Sequence, residues 1–170
     1  MKNITAVIAF ILVLQCSGAI AQAGSFTRDG LTWHTDVFQA QTASAASGKP
    51  IFAFFTGSDW CGWCHKLQRD VFAKPAFKTW AAANVTLLEL DYPRQKQLAP
   101  ELAQQNAELL QTFGVKGFPT IWLFNLGKDE ATKKFNVSPF GSLGYPTGAE
   151  PGKEEVKFLS NAQELIKAKK

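Results

Sequence analysis

Three apolar runs of strand length, Ile51–Phe55, Val85–Leu90 and Thr120–Phe124, alternate with stretches of helical pattern, and this alternation restricts the chain more than any other feature. Ile51-Phe-Ala-Phe-Phe55 has no polar residue at either pleat position, so both of its faces must be covered. Helices on both sides of a sheet supply such cover, and the chain offers them. Val37–Ser47 is rich in Ala and Gln and is closed by Gly48-Lys49-Pro50. Pro75 suits the first position of a helix to Ala83, and Pro100 that of a helix to about Phe113 with Leu102, Leu109 and Phe113 at helical spacing. Glu154–Ala168 reads as a final amphipathic helix with Val156, Phe158, Leu159, Leu165 and Ile166 inward. The class is therefore α/β, a central mixed sheet flanked by helices.

The weaker segments read as follows. Phe26–Asp36 is a leader in which Leu31–His34 forms an edge strand. Asn125–Asp129 is a hairpin turn, followed by a partner strand at Thr132–Val137. Residues 136–153 hold seven Gly or Pro and are expected to be loop, with a short strand around Phe140–Tyr145.

The N-terminus is a separate unit. Lys2 precedes an apolar stretch from Ile4 to Leu14, broken only by Thr5, and Ala19-Ile20-Ala21 and Ala21-Gln22-Ala23 are small-x-small cleavage sites. Residues 1–23 read as a secretory signal peptide, too short to span a bilayer, with one domain at 24–170. The expected location is periplasmic or extracellular, with no transmembrane segment after cleavage. Lipid anchoring at Cys16 is disfavoured by the bulky Gln15 before it. Cleavage removes Cys16 and leaves Cys61 and Cys64, in a compartment where disulfides persist. At a net charge of +4, and without basic residues interleaved with aromatics, the chain lacks the footprint of a nucleic-acid binder.

Cys61 and Cys64 stand in Ser58-Asp-Trp-Cys-Gly-Trp-Cys-His-Lys66, where a buried strand gives way to a helix expected to run to about Phe72. Unpaired N–H groups and the helix dipole favour a thiolate there, lowering a cysteine pKa from about 8.5. Cys61 is then the exposed attacking sulfur, and Cys64, one turn on, the more buried resolving sulfur. The dithiol carries both electrons, so no cofactor is required. Two other chemistries share the pattern. Cys-x-x-Cys-His is also a c-type haem attachment sequence, and two Cys with a His are three ligands of a zinc site. The only Met is Met1 and the only other His is His34, so a sixth haem ligand other than His34 is missing, and no second Cys/His cluster exists for zinc.

Trp60-Cys61-Gly62-Trp63-Cys64 after a strand, followed by Gly117-Phe118-Pro119-Thr120 before another, resembles the thioredoxin superfamily. Gly141-Ser-Leu-Gly-Tyr145 is similar to a segment of secreted thioredoxin-like proteins. The resemblance implies a thioredoxin-like fold and an exported thiol–disulfide oxidoreductase. It would exchange with protein or peptide thiols and with a redox partner the sequence does not name. It also implies a cis Pro119 beside the dithiol, and a substrate surface made by Trp60, Gly62, Trp63, Phe118 and Pro119. Trp33, Trp80 and Trp122 are expected in the core. Two departures stand out. Phe55 occupies the place of the family's buried acid, and Leu87 that of its accompanying lysine on the neighbouring strand. The proton acceptor for Cys64 is thus displaced, with Glu89 a candidate, otherwise a solvated strand-end carboxylate, and His65 a second modulator beneath Cys61. A non-catalytic binding module that keeps a vestigial dithiol is the alternative reading.

Overall fold

The computed structural model describes residues 24–129 and 134–169. The leader features, Cys16 among them, and Thr132–Lys133 of the expected hairpin lie outside the described residues. The elements run β1 (Ser25–Arg28), β2 (Leu31–His34), α1 (Val37–Ser47), β3 (Ile51–Thr56), α2 (Gly62–Leu67), α3 (Pro75–Asn84), β4 (Thr86–Asp91), α4 (Pro100–Thr112), β5 (Thr120–Lys128), β6 (Phe135–Leu143) and α5 (Glu154–Lys167). The strands form one sheet in the order β1-β2-β4-β3-β5-β6. β2, β4 and β3 are mutually parallel, and the β1–β2, β3–β5 and β5–β6 pairs are antiparallel. The expected central mixed sheet flanked by helices is therefore present.

β3 lies at the centre and every one of its residues is buried. Its alternate residues feed two cores. Phe52 and Phe54 join Trp33, Cys61, Cys64, Leu67, Phe72, Phe77 and Phe158 on the face covered by α2, α3 and α5. Ile51, Ala53 and Phe55 join Val37, Leu88, Leu90, Phe113 and Phe124 under α1 and α4. The first core is aromatic, with Phe72 in edge or stacked contact with Phe52, Phe54, Phe77 and Phe158. Trp33 is buried as expected, whereas Trp80 and Trp122 are half-buried and pack against the margins of the two cores.

Helix ends follow their local chemistry. The Asp36 carboxylate accepts from the N–H groups of Phe38 and Gln39 to start α1, and Gly48 at φ 68° ends it in the left-handed region. α2 continues into a single wide π turn, Gln68–Phe72, where the Ala73 N–H donates to the Gln68 carbonyl at 2.8 Å. In α4 the only buried residue is Asn106, whose side-chain amide donates to the Asp91 carbonyl at 2.8 Å. Gln105 accepts from the Val37 N–H and donates to the Thr35 carbonyl. This helix is thus docked as much by amides as by Leu109 and Phe113.

Four expectations are corrected. Leu31–His34 is not an edge strand, because β1 pairs outside it through a two-residue turn, Asp29 (φ 55°) and Gly30 (φ 80°), the Asp-Gly signature of a type I′ hairpin. Asn125–Lys128 is strand, paired with Phe135–Ser138, so β5 is longer than its apolar run. Residues 138–139, expected as loop, are strand: β6 joins the expected partner strand to the short strand expected around Phe140, and it ends at Leu143. Pro139 is tolerated because β6 is the edge strand, and the register shifts between Leu123 and Phe124. Gly141, at φ 156°, leaves room for α5: a Cβ there would lie 2.7 Å from a Leu165 methyl. In α5 Phe158, Ala162 and Ile166, four apart, are buried and Leu159 and Leu165 pack against the same core, whereas Val156 is exposed because it points away from that stripe.

Candidate active site

The dithiol turn is held by the loop that follows β4. After Thr56 the chain reverses, with the N–H groups of Trp60 and Cys61 both donating to the Gly57 carbonyl. Asp91, the last residue of β4, accepts from the Ser58 N–H at 2.8 Å and the Ser58 hydroxyl at 2.7 Å, and pairs with Lys96 at 3.0 Å. In return Asp59 accepts from the N–H groups of Arg94 and Gln95, and these bonds hold its carboxyl below the usual range. Neither aspartate was singled out from sequence. Lys96 apart, their side-chain partners lie more than 30 residues away and leave no local pattern.

Trp60 fills the space between these loops. Its indole N–H donates to the Tyr92 carbonyl at 2.8 Å, and its ring meets Phe118 edge-on at 5.7 Å. It also lies flat against Gly57, where a Cβ would come within 2.4 Å of the ring, so glycine is required there. Phe118 in turn packs on Tyr92 at 5.2 Å, and the Phe118–Pro119 bond is cis, as the family resemblance implied. The Thr120 hydroxyl closes this second loop by donating to the Gly117 carbonyl.

Cys61 is the N-terminal cap of α2. Its Sγ accepts from the Cys64 N–H at 3.2 Å and is joined to Cys64 in a disulfide. Cys64 is fully buried. Cys61 is more accessible than Cys64, but at 4% it is far less exposed than expected, because its sulfur is turned onto the first turn of α2. Gly62 is exposed, and a Cβ on it would meet nothing within 4 Å. Trp63 is 56% exposed and leans edge-on against Tyr145 at 5.2 Å. The Tyr145 hydroxyl donates to the Asp70 carboxylate, which also accepts from Lys66, and the Lys66 ammonium sits over the Tyr145 ring. The Lys66 bond, followed by that from Tyr145, holds the Asp70 carboxyl below its usual range. Tyr145 was read only as part of a resembling segment, and its bracing of Trp63 is new.

The two suggested modulators are held by partners of their own. The His65 ring is tied to the turn before Cys61, its Nε2 donating to the Ser58 carbonyl at 2.9 Å. Glu89 is no solvated strand-end carboxylate: it lies mid-strand beside Phe54, largely buried, with Arg28 at 2.6 Å. Burial pushes its carboxyl up, and Arg28 opposes that shift. Arg28 itself covers Trp33, 4.6 Å from the ring centroid. Leu87 lies on β4, the strand next to that of Phe55, where it pairs with Phe52 while Phe55 pairs with Leu90. Among the described residues no three His, Cys, Asp or Glu converge as a metal site, and no helix is long and apolar enough to cross a membrane.

A disulfide capping a helix after a central strand, beside a loop with a cis proline, defines a thioredoxin-like thiol–disulfide oxidoreductase. The chain belongs to the thioredoxin-like family, whose domain model matches residues 37–133. Among its relatives is the disulfide bond reductase DsbH of Chlamydia pneumoniae, 30% identical over 143 residues, covering 79% of this chain and 85% of that protein. The thioredoxin-related protein DsbJ of the same organism is 26% identical over 146 residues, and there the chain spans 40% of the relative's length. A solved structure titled DsbH oxidoreductase superimposes with a TM-score of 0.63 at 28% identity, over 91% of this chain and 92% of the other. A thioredoxin from Thermus thermophilus, 16% identical, shares the fold with a TM-score of 0.52 over 79% of this chain and 85% of its own.

Proposed function

We propose that the chain is an exported disulfide reductase in which Cys61 attacks and Cys64 resolves. The observation that carries the reading is the position of Cys61 at the cap of α2, its Sγ facing the Cys64 N–H, with Cys64 behind it in the core. In the reduced state the Cys61 thiolate attacks one sulfur of a substrate disulfide. A Cys61–substrate disulfide forms and the other substrate sulfur leaves as a thiolate. Cys64, giving up its proton, then attacks Cys61 Sγ, expels the second substrate thiolate and restores the Cys61–Cys64 bond. Two electrons pass to the substrate, and its two sulfurs take up the Cys64 proton and one from solvent, the equivalent of the proton Cys61 released in becoming a thiolate. A dithiol donor returns the enzyme to the reduced state by the reverse exchange.

The direction is supported by the relative named a disulfide bond reductase. Export is supported by the leader pattern of residues 1–23. Protein and peptide disulfides are the substrates, with Trp63, Gly62, Phe118 and Pro119 as the surface they meet. Equilibration of Cys61–Cys64 with glutathione and dithiothreitol buffers tests the direction. A potential near the thioredoxin value of about −270 mV supports a reductase, and one near about −120 mV contradicts it. Expression of the full chain with N-terminal sequencing of the product tests export: a mature end at 22–24 in the exported fraction is expected, and an intact Met1 in all fractions contradicts it.

A further inference from the structure

Arg94 stands over the tryptophan that precedes Cys61. Its guanidinium carbon lies 3.7 Å from the centroid of the Trp60 ring, immediately before Cys61 in the chain. The ring beneath it is fixed by the Tyr92 carbonyl on one side and Phe118 on the other. The backbone carrying it is fixed as well, since the Arg94 N–H donates to Asp59. Yet the charge itself is unanswered. Among the described residues no carboxylate comes within ion-pair distance of the Arg94 guanidinium. The two nearby acids are engaged elsewhere, Asp59 by backbone N–H groups and Asp91 by Ser58 and Lys96. On the other side of the cysteines Lys66 is paired with Asp70. Arg94 itself is exposed.

Stacking occupies the flat face of a guanidinium and leaves its in-plane N–H donors pointing outward. Those donors match a carboxylate in a bidentate fork. A guanidinium already held over an indole also loses little rotamer freedom on engaging a ligand. We infer that Arg94 is a specificity residue for a substrate carboxylate, so that the preferred substrates are disulfides of acidic peptides, with Asp or Glu flanking the attacked cysteine. The inference rests on the proposed role of Cys61, because the Trp60 platform fixes Arg94 relative to that sulfur. The same residue makes lysine-flanked disulfides poor substrates, through like-charge repulsion.

The test uses three otherwise identical disulfide peptides, flanked by Glu, Gln or Lys, and the kcat/KM for each with wild type, Arg94→Gln, Arg94→Lys and Arg94→Glu. Exposed pairs are weak, so wild type should prefer Glu over Gln by about 3–5-fold and Glu over Lys by about 10-fold at low salt. Both ratios should shrink as ionic strength rises. Arg94→Gln should bring the Glu-to-Gln ratio to about one, Arg94→Lys should keep part of it, and Arg94→Glu should invert the Glu-to-Lys order. An unchanged ratio in Arg94→Gln overturns the inference, as does a uniform fall for all three peptides, which would make Arg94 a support for Trp60 alone. If wild type reduces none of the peptides, the proposed chemistry of Cys61 fails and the inference falls with it.

Discussion

Trp60 and Trp63 each precede a cysteine of the same dithiol, and the fold treats them in opposite ways. Trp60 donates its indole N–H within the chain, covers Gly57, meets Phe118 and carries Arg94. Trp63 has more than half its surface in solvent and one ring contact, to Tyr145. An aromatic side chain beside a reactive sulfur is scaffold when its own chain satisfies both its polar atom and its faces. Where its own chain does not, as at Trp63, the ring is left open to solvent, and substrate contact is its proposed role. Position in the motif does not distinguish the two cases, and the neighbours do.

Truncation should separate them most sharply. Trp60→Ala should lower stability by about 2–4 kcal/mol, since it opens a cavity under two loops, whereas Trp63→Ala should stay within about 0.5 kcal/mol. Urea denaturation of both variants measures this, and equal losses would erase the distinction. Gly57→Ala attacks the same scaffold from the other side. Its Cβ has no room against the Trp60 ring, and a loss of about 1–3 kcal/mol is expected, with quenched or shifted Trp60 fluorescence. For Trp63 the effect should appear in catalysis. Trp63→Ala should raise KM for a folded protein disulfide by about 5-fold and leave that for a small linear disulfide almost unchanged, as loss of an exposed anchor does. A larger drop on the small substrate would mean that Trp63 shapes the sulfur chemistry itself.

Two carboxylates extend the contrast to pH. Asp59 is partly exposed and held below its usual 3.8 by backbone N–H groups. Its contribution is present above that value and disappears as pH falls through the folded-state pKa. Glu89 is pushed above its usual 4.5, mainly by burial. The folded state then keeps its proton longer than the unfolded chain, so stability falls as pH rises from about 4.5 through the raised value. Urea midpoints across pH should lose the acid-side slope in Asp59→Asn and the opposite slope in Glu89→Gln. The same sign for both would place Glu89 in a stronger pairing with Arg28 than its burial allows.

The readable part of this molecule was the part with local signals. β3 and β4 declared themselves by apolar runs, α1 by its Ala- and Gln-rich run and Gly48, α3 and α4 by their opening prolines, and the dithiol by spacing and context. The β1–β2 hairpin carried a legible signal, Asp29-Gly30, that the apolar pattern around it did not reinforce. β6 was legible only as two separate pieces because Pro139 and Gly141 punctuate loops in most settings, and only the edge position and the approach of Leu165 make them compatible with one strand. The polar lattice of Asp59, Asp91, Arg94 and Ser58, and the Arg28–Glu89 pair, join residues distant in sequence. Such contacts have no period and no spacing, so the support of the site was invisible where its sulfurs were plain.

The most direct test of the account is capture of the mixed disulfide. Cys61→Ser and Cys64→Ser variants, both folded, are mixed with a disulfide peptide and resolved by mass spectrometry without reductant. Cys64→Ser should hold the peptide covalently on Cys61, because attack proceeds and resolution cannot. Cys61→Ser should hold little, since Cys64 is fully buried. Equal capture by the two variants, or capture on Cys64 alone, would contradict the assignment of Cys61 as the attacking sulfur.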